Sequence, residues 1–160
     1  MLAVSSLSAA GGAERVISEM ANWWADHGRQ VGVLTLESRF IDHYRLHPDV
    51  ERIPFGWRIP RTRLHIPAQF VKDQFMLREL ALHFNPDVLV SFLDKINIRM
   101  LFALAGARVP IVVSERIDPR YHQIGSSWSL ARRLLYPFAK ALVVQTNSVT
   151  EWADRVVSHD

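Results

Sequence analysis

Asp87-Val-Leu-Val-Ser-Phe92 and Pro110-Ile-Val-Val-Ser114 decide the fold. Each is a short, almost unbroken apolar run without polar alternation, the pattern of a strand covered on both faces of a parallel sheet. Asn85-Pro86 breaks the chain ahead of the first run, and between the two runs Asn97 to Ala105 reads as a helix closed by Gly106. Strand, helix, strand at this spacing is a crossover unit, because parallel neighbours cannot be joined by a tight turn.

The same alternation extends outward in both directions. Upstream, strands are expected at Leu2 to Leu7, Val31 to Leu36 and Val50 to Phe55, and a helix from about Ala68 to Phe84 follows a segment broken by Pro54, Pro60 and Pro67. Gly11-Gly12 closes the first strand. From Ala13 a helix begins in which Val16, Ile17, Met20, Ala21 and Trp24 share one buried face, and Gly28 stops it. Downstream, Ser126 to Ala139 reads as a helix and Ala141 to Gln145 as a strand; Ser148 with Glu151 has the spacing of a capping box opening a last helix to about Val157. Trp128, Leu130, Ala131, Leu134, Leu135 and Phe138 form an apolar stripe with Arg132, Arg133 and Lys140 on the other side, a pattern that can lie on anionic lipid headgroups but on a doubly wound fold is expected to pack on the sheet. About six strands alternating with helices predict an α/β fold, a doubly wound, Rossmann-like parallel sheet of order 3-2-1-4-5-6. Ligands of such sheets bind beyond the carboxyl ends of the strands, here the loops at 8–15, 92–97, 114–120 and 145–148.

Composition agrees with one globular domain: 160 residues, 49% hydrophobic and 22% charged. The absence of cysteine removes disulfides, thiol nucleophiles and thiolate metal sites. Nineteen Lys plus Arg against sixteen Asp plus Glu give +3, and the whole excess lies between Glu51 and Arg63, where Arg52, Arg58, Arg61 and Arg63 face one acid. One short basic patch suits a local anionic partner better than a nucleic acid. No apolar run is long enough to span a membrane, and the opening residues lack the basic start of a secretion signal.

Four loops carry the candidate chemistry. Gly11-Gly12 ahead of a helix can bring backbone amides to a phosphate, or can simply permit a turn. Glu14 complements the helix dipole. Ser114 runs into Glu115, Arg116, Ile117, Asp118, Pro119 and Arg120, four charges in six residues. Arg suits forked contacts to diphosphate or carboxylate, and Glu suits sugar hydroxyls or proton transfer; a Glu–Arg ion pair within the domain is the structural alternative. Gln145, Thr146 and Asn147 suit carbohydrate hydroxyls or a helix cap, and Asp94, Lys95 and Asn97 have the same two readings, with capping favoured for Asp94 or Asn97. His43 and His47, four apart, lie in a loop without a carboxylate pattern, so no metal site is expected.

Together, Gly11-Gly12-Ala13-Glu14-Arg15-Val16, Ser114-Glu115-Arg116 with Asp118-Pro119, and Val144-Gln145-Thr146 resemble the amino-terminal domain of family-four glycosyltransferases, in particular the bacterial sugar transferases that build lipid-linked oligosaccharides, O-antigens and exopolysaccharides. The likeness runs through nearly the whole chain, in order. It implies that residues 1–160 are the acceptor-side half of a two-domain GT-B enzyme whose donor domain lies beyond Asp160, so that this chain alone is inactive. The implied reaction moves a hexose from a UDP- or GDP-linked sugar to a glycan or polyprenyl-diphosphate-linked acceptor, with retention of configuration, no cofactor and no essential metal. By the same resemblance Gly11, Gly12, Glu14, Arg15, Ser114, Arg116, Asp118, Gln145 and Thr146 bind donor phosphate or acceptor. Many relatives place a histidine near Glu115; without it, acid–base work falls to Glu115. Arg58, Arg61, Arg63 and Lys72 would meet an anionic membrane surface or the acceptor diphosphate, and the protein would be cytoplasmic, peripheral on the membrane. Two other classes stay open: an NAD(P)- or nucleotide-binding Rossmann enzyme with Glu37 on a ribose, weakened by the missing third glycine of that fingerprint, and a non-enzymatic membrane-surface module.

Overall fold

Unbroken apolar runs become the strands, and the glycine and proline punctuation sets where each helix stops. The computed structural model describes residues 1–37, 41–56 and 66–157. Six strands, β1 (Leu2–Val4), β2 (Val31–Thr35), β3 (Val50–Pro54), β4 (Leu89–Phe92), β5 (Ile111–Ser114) and β6 (Ala141–Val143), alternate with α1 (Gly12–Asp26), α2 (Ile66–Phe84), α3 (Asp94–Ala103), α4 (Ser126–Leu135) and α5 (Thr150–Val157). The strands form one parallel sheet of order β3-β2-β1-β4-β5-β6, the expected doubly wound α/β arrangement. The chain divides into two compact units, Met1–Pro86 and Asp87–Asp160.

In the first unit β2 pairs in parallel with β1 (Leu2 opposite Val33) and with β3 (Val31 opposite Val50). All five residues of β2 are buried, as a strand with neighbours on both edges requires. A Cβ on Gly32 would stand 2.7 Å from the Phe84 ring, so glycine at this point lets the end of α2 lie against the strand. α1 ends as expected at Gly28, whose φ is +71°. Its buried face is only partly the expected one: Ile17 and Ala21 are buried as expected, with Ser18 and Ala25 beside them, while Val16, Met20 and Trp24 are only half covered. Small residues win because they let the helix backbone approach its neighbours closely.

In the second unit Leu89 pairs with Ile111 and Ser114 with both Phe92 and Val143. α3 starts three residues earlier than expected, at Asp94, which places Asn97 inside the helix and fully buried instead of at a cap. α4 stops at Leu135 and a 3-10 turn, Tyr136–Phe138, replaces its last expected turn. Pro137 explains this, since it has no amide for the next helical bond and its ring crowds the preceding turn. The capping box does not form: Ser148 sits inside a 3-10 turn, Asn147–Val149, and α5 follows from Thr150.

The largest departure concerns the stripe on α4. Leu130, Leu134 and Phe138 are 57%, 62% and 74% exposed, whereas Arg132, expected on the solvent side, is buried. Trp128, Arg132 and Tyr136 also recur every four residues, and periodicity alone does not choose between the two stripes. What chooses is a set of buried partners for the guanidinium.

Candidate functional site

Those partners gather where β5 ends. The amide of Glu115 donates to Val143 O and that of Leu93 to Ser114 O, so the hydrogen-bond ladder draws Glu115 into the sheet's end instead of releasing it into a loop. Glu115 is 3% exposed. The Tyr136 hydroxyl donates to its Oε1, and Asn97 Nδ2 donates to the same hydroxyl oxygen and to Ser114 O, each at 3.2 Å. Arg132 Nη2 lies 3.5 Å from Glu115 Oε1 and 3.6 Å from Asp94 Oδ2; His122 Nε2 reaches the same Asp94 oxygen at 3.1 Å. The Arg132 guanidinium also sits over the rings of Tyr136 and Trp152, at 5.7 and 5.6 Å. Such stacking compensates a buried cation for part of its lost hydration.

Burial pushes the Glu115 carboxyl above its usual range, against the pull of the Tyr136 hydrogen bond and of Arg132; Asp94 adds to the rise. Burial, then the Glu115 charge, drives the Tyr136 phenol upward too, so it stays a protonated donor. The Glu–Arg pair weighed from sequence is present, but its cation is Arg132 and not the adjacent Arg116. Arg116 instead lies over the Phe92 ring at 5.7 Å, and its buried Nε has no hydrogen-bond partner.

Beyond Glu115 the loop fastens itself. Arg120 grips both oxygens of Asp118, at 2.6 to 3.2 Å, and reaches Ser148 Oγ at 3.3 Å, joining the loop after β5 to the turn after β6. Hydrogen bonding from Arg120 holds the Asp118 carboxyl below its usual range. Gln145 and Thr146 are exposed beside this junction, and Thr146 Oγ1 and Ser148 Oγ share a hydrogen bond at 2.9 Å.

The glycine turn of the first unit is different in kind. Gly11 is the N-cap of α1 at φ −86° and ψ 163°, ordinary extended geometry, and makes no side-chain cap bond. Neither Gly11 nor Gly12 has positive φ, so the turn does not need glycine for its backbone conformation. A Cβ on Gly12 would meet nothing within 4 Å. On Gly11 it would stand 2.2 Å from Glu14 Oε2, the end of a flexible side chain folded back over the turn. Arg15 is exposed and pairs with Glu19 at 2.8 Å.

Other expected groups have structural partners. Glu37 Oε2 accepts from the Ser6 and Ser8 hydroxyls at 2.6 and 3.2 Å, so the carboxylate considered for a ribose is held by the chain's own hydroxyls. Arg52, one of the four basic-patch arginines, pairs with Asp42 at 2.9 Å. Lys72 is exposed on α2, while Arg58, Arg61 and Arg63 lie outside the described residues. His47 pairs with Asp26 at 3.3 Å. No group of three metal-ligating side chains occurs among the described residues.

The structure thus joins Ser114, Glu115, Asp118 and Thr146 in one unit, with Gly11, Gly12, Glu14 and Arg15 in the other. Sequence reasoning missed Tyr136, Arg132, Trp152 and His122 and misread Asp94 and Asn97 as caps. One available signal was the four-residue step from Arg132 to Tyr136, which puts a cation and a phenol on one helix face.

Residues 11–158 match the family model described as a Glycosyl transferase 4-like domain. The chain is also 30% identical, over 147 residues, to the GalNAc-alpha-(1->4)-GalNAc-alpha-(1->3)-diNAcBac-PP-undecaprenol alpha-1,4-N-acetyl-D-galactosaminyltransferase of Campylobacter jejuni, a likeness covering 92% of this chain and 40% of that relative.

Proposed function

The chain belongs to the glycosyl transferase 4-like family, and from that membership we propose that it is the acceptor-side half of a GT-B enzyme. In this reading the complete enzyme transfers a hexose from a UDP- or GDP-sugar to a polyprenyl-diphosphate-linked glycan with retention, on the cytoplasmic membrane face, and needs no metal or other cofactor. In the same reading the donor domain lies in further chain, which a matched relative more than twice as long supports.

One observation carries the reading: the uncapped start of α1 with open space at Gly12. Free first-turn amides carry partial positive charge, and an absent side chain lets an anionic oxygen come close. There the leaving diphosphate gains negative charge in the transition state and is stabilised by donors already in place. Arg15 and Glu14 flank that position. In this reading Arg116, Gln145 and Thr146 meet the acceptor, Arg116 supplying a cation with no acid partner among the described residues, whereas Ser114 is buried in the sheet end and Asp118 is held by Arg120. Glu115 is buried and already bonded, which favours a part in holding the loop over direct proton transfer.

In the complete enzyme Gly12→Val is expected to lower turnover about a hundredfold, the scale of losing one oxyanion donor, with the urea midpoint of the protein unchanged. Normal turnover would remove the phosphate assignment. Tight calorimetric binding of NAD with none of any sugar nucleotide would favour the dehydrogenase-like alternative. A pH–rate profile of Glu115→Gln separates the two roles of that residue. A lost limb means acid–base work, and an intact shape with lower stability means a positioning residue.

A further inference from the structure

We propose that His122 takes the proton from the attacking hydroxyl of the acceptor and that Asp94 sets its ring for the task, an inference that rests on the sugar-transfer reading. His122 stands in the loop after β5, and its Nε2 lies 3.1 Å from Oδ2 of Asp94, the first residue of α3 after β4. The pair thus joins the carboxyl ends of two adjacent strands, the edge at which ligands of a doubly wound sheet bind. Asp94 is buried and fixed in advance: Oδ1 accepts the Lys95 amide, and Oδ2 faces His122 and, at 3.6 Å, Arg132 Nη2. A carboxylate oxygen beside Nε2 keeps the ring proton there and leaves the lone pair on Nδ1. Nδ1 has no partner among the described residues, and 40% of the side chain is open to solvent. That is the arrangement of a general base with its orienting carboxylate.

Two further observations mark the position. Leu93, immediately before Asp94, has φ +73° and ψ 144°, a backbone region that only glycine enters freely. Its amide donates to Ser114 O and its carbonyl accepts from the Asn97 amide, so strand and helix together hold Leu93 against its own preference, and what the strain secures is the place of Asp94. The loop under His122 is fastened as well: the Tyr121 and His122 amides both donate to Asp118 O, at 3.2 and 3.1 Å, and Arg120 grips Asp118. The charged groups around the ring are Asp94 on α3, Arg132 on α4 and Glu115 at the end of β5, with the Tyr136 phenol a protonated donor. With both carboxylates ionised, Arg132 balances one of them and a proton on His122 balances the other. In the transfer step the acceptor oxygen bonds to the anomeric carbon while the bond from that carbon to the leaving diphosphate oxygen breaks. The diphosphate departs with the electron pair, the hydroxyl proton passes to Nδ1, and His122 returns it to water before the next turnover.

The test uses the complete enzyme, a panel of UDP- and GDP-hexoses as donors and a polyprenyl-diphosphate-linked disaccharide as acceptor. His122→Gln is expected to lower kcat about a hundredfold or more, the scale of one general base. The donor KM and the urea midpoint should stay as in the parent, and the acid limb of the pH–rate profile should disappear. His122→Ala should regain part of its rate when imidazole is added, a recovery that a merely structural side chain would not show. Asp94→Asn should lower kcat while leaving an acid limb in place, because the base itself remains. Parent-like kcat and an intact acid limb in His122→Gln overturn the inference and leave the transferase reading standing. A slow His122→Gln enzyme that keeps its acid limb, with no imidazole rescue of His122→Ala, also overturns it and makes His122 a structural group. Absence of transfer by the parent enzyme from every donor of the panel defeats the transferase reading, and this inference with it.

Discussion

The carboxyl ends of β5 and β1 are followed by regions built on opposite plans. After β5, Glu115 is sealed among Tyr136, Arg132 and Ser114, and its carboxylate meets a hydroxyl and a guanidinium of the chain itself, although the buried Asn97 Oδ1 and Arg132 Nε have no hydrogen-bond partner. After β1, the chain leaves the first turn of α1 without a side-chain cap and leaves space where Gly12 has no side chain. The contrast teaches that charge density in a strand-end loop can serve to hold the loop, since Glu115, Asp118 and Arg120 all have partners within the chain. Four charges in six residues chiefly brace this loop, and the plainer glycine pair leaves donors free for a ligand.

Arg132→Met should show the largest effect on the braced side. The side-chain stem remains, but two buried carboxylates lose their cation, at a cost of about 3–5 kcal/mol by urea unfolding. A change near zero would mean that charge does not hold this cluster. Tyr136→Phe keeps the ring and removes one hydroxyl that Glu115 and Asn97 both use, for about 1–3 kcal/mol; a loss equal to that of Arg132→Met would shift the weight of the brace onto the phenol.

The pH dependence of stability sharpens the same contrast. Because folding raises the Glu115 pKa, the native state holds that proton more tightly. Its contribution is therefore greatest below the ordinary carboxylate pKa and is lost as pH rises from there through the raised value, with no further change above it. Urea midpoints measured from about pH 4 to about pH 7 should fall less steeply in Glu115→Gln than in the parent chain. Equal slopes would contradict the burial argument. On the open side, Gly12→Val should move stability by no more than about 0.5 kcal/mol. A large loss there would show the turn to be structural after all.

Much of the fold was legible because covered parallel strands need continuous apolar runs, and Leu89–Phe92 and Ile111–Ser114 supply them without ambiguity. Gly28, Gly106 and Asn85, all with positive φ, likewise mark helix ends by a local conformational need. The site was legible only in part. Glu115 stood out as a charge after a buried strand, but its side-chain partners lie 17 residues (Arg132) and 21 residues (Tyr136) after it, and no spacing rule connects it to them. Asn97 looked like a cap because the start of α3 was placed three residues late, and a one-turn error changes a surface amide into a buried donor.

The sequence by itself determined the strand-and-helix alternation, the parallel sheet and the helix ends marked by Gly28, Asn85 and Gly106, since these follow from local sterics and from the period of apolar residues. Only the tertiary structure decided which face of α4 turns inward. Two stripes with the same four-residue repeat competed, and burying the less apolar one became favourable only where two carboxylates and two aromatic rings had already been brought to receive Arg132.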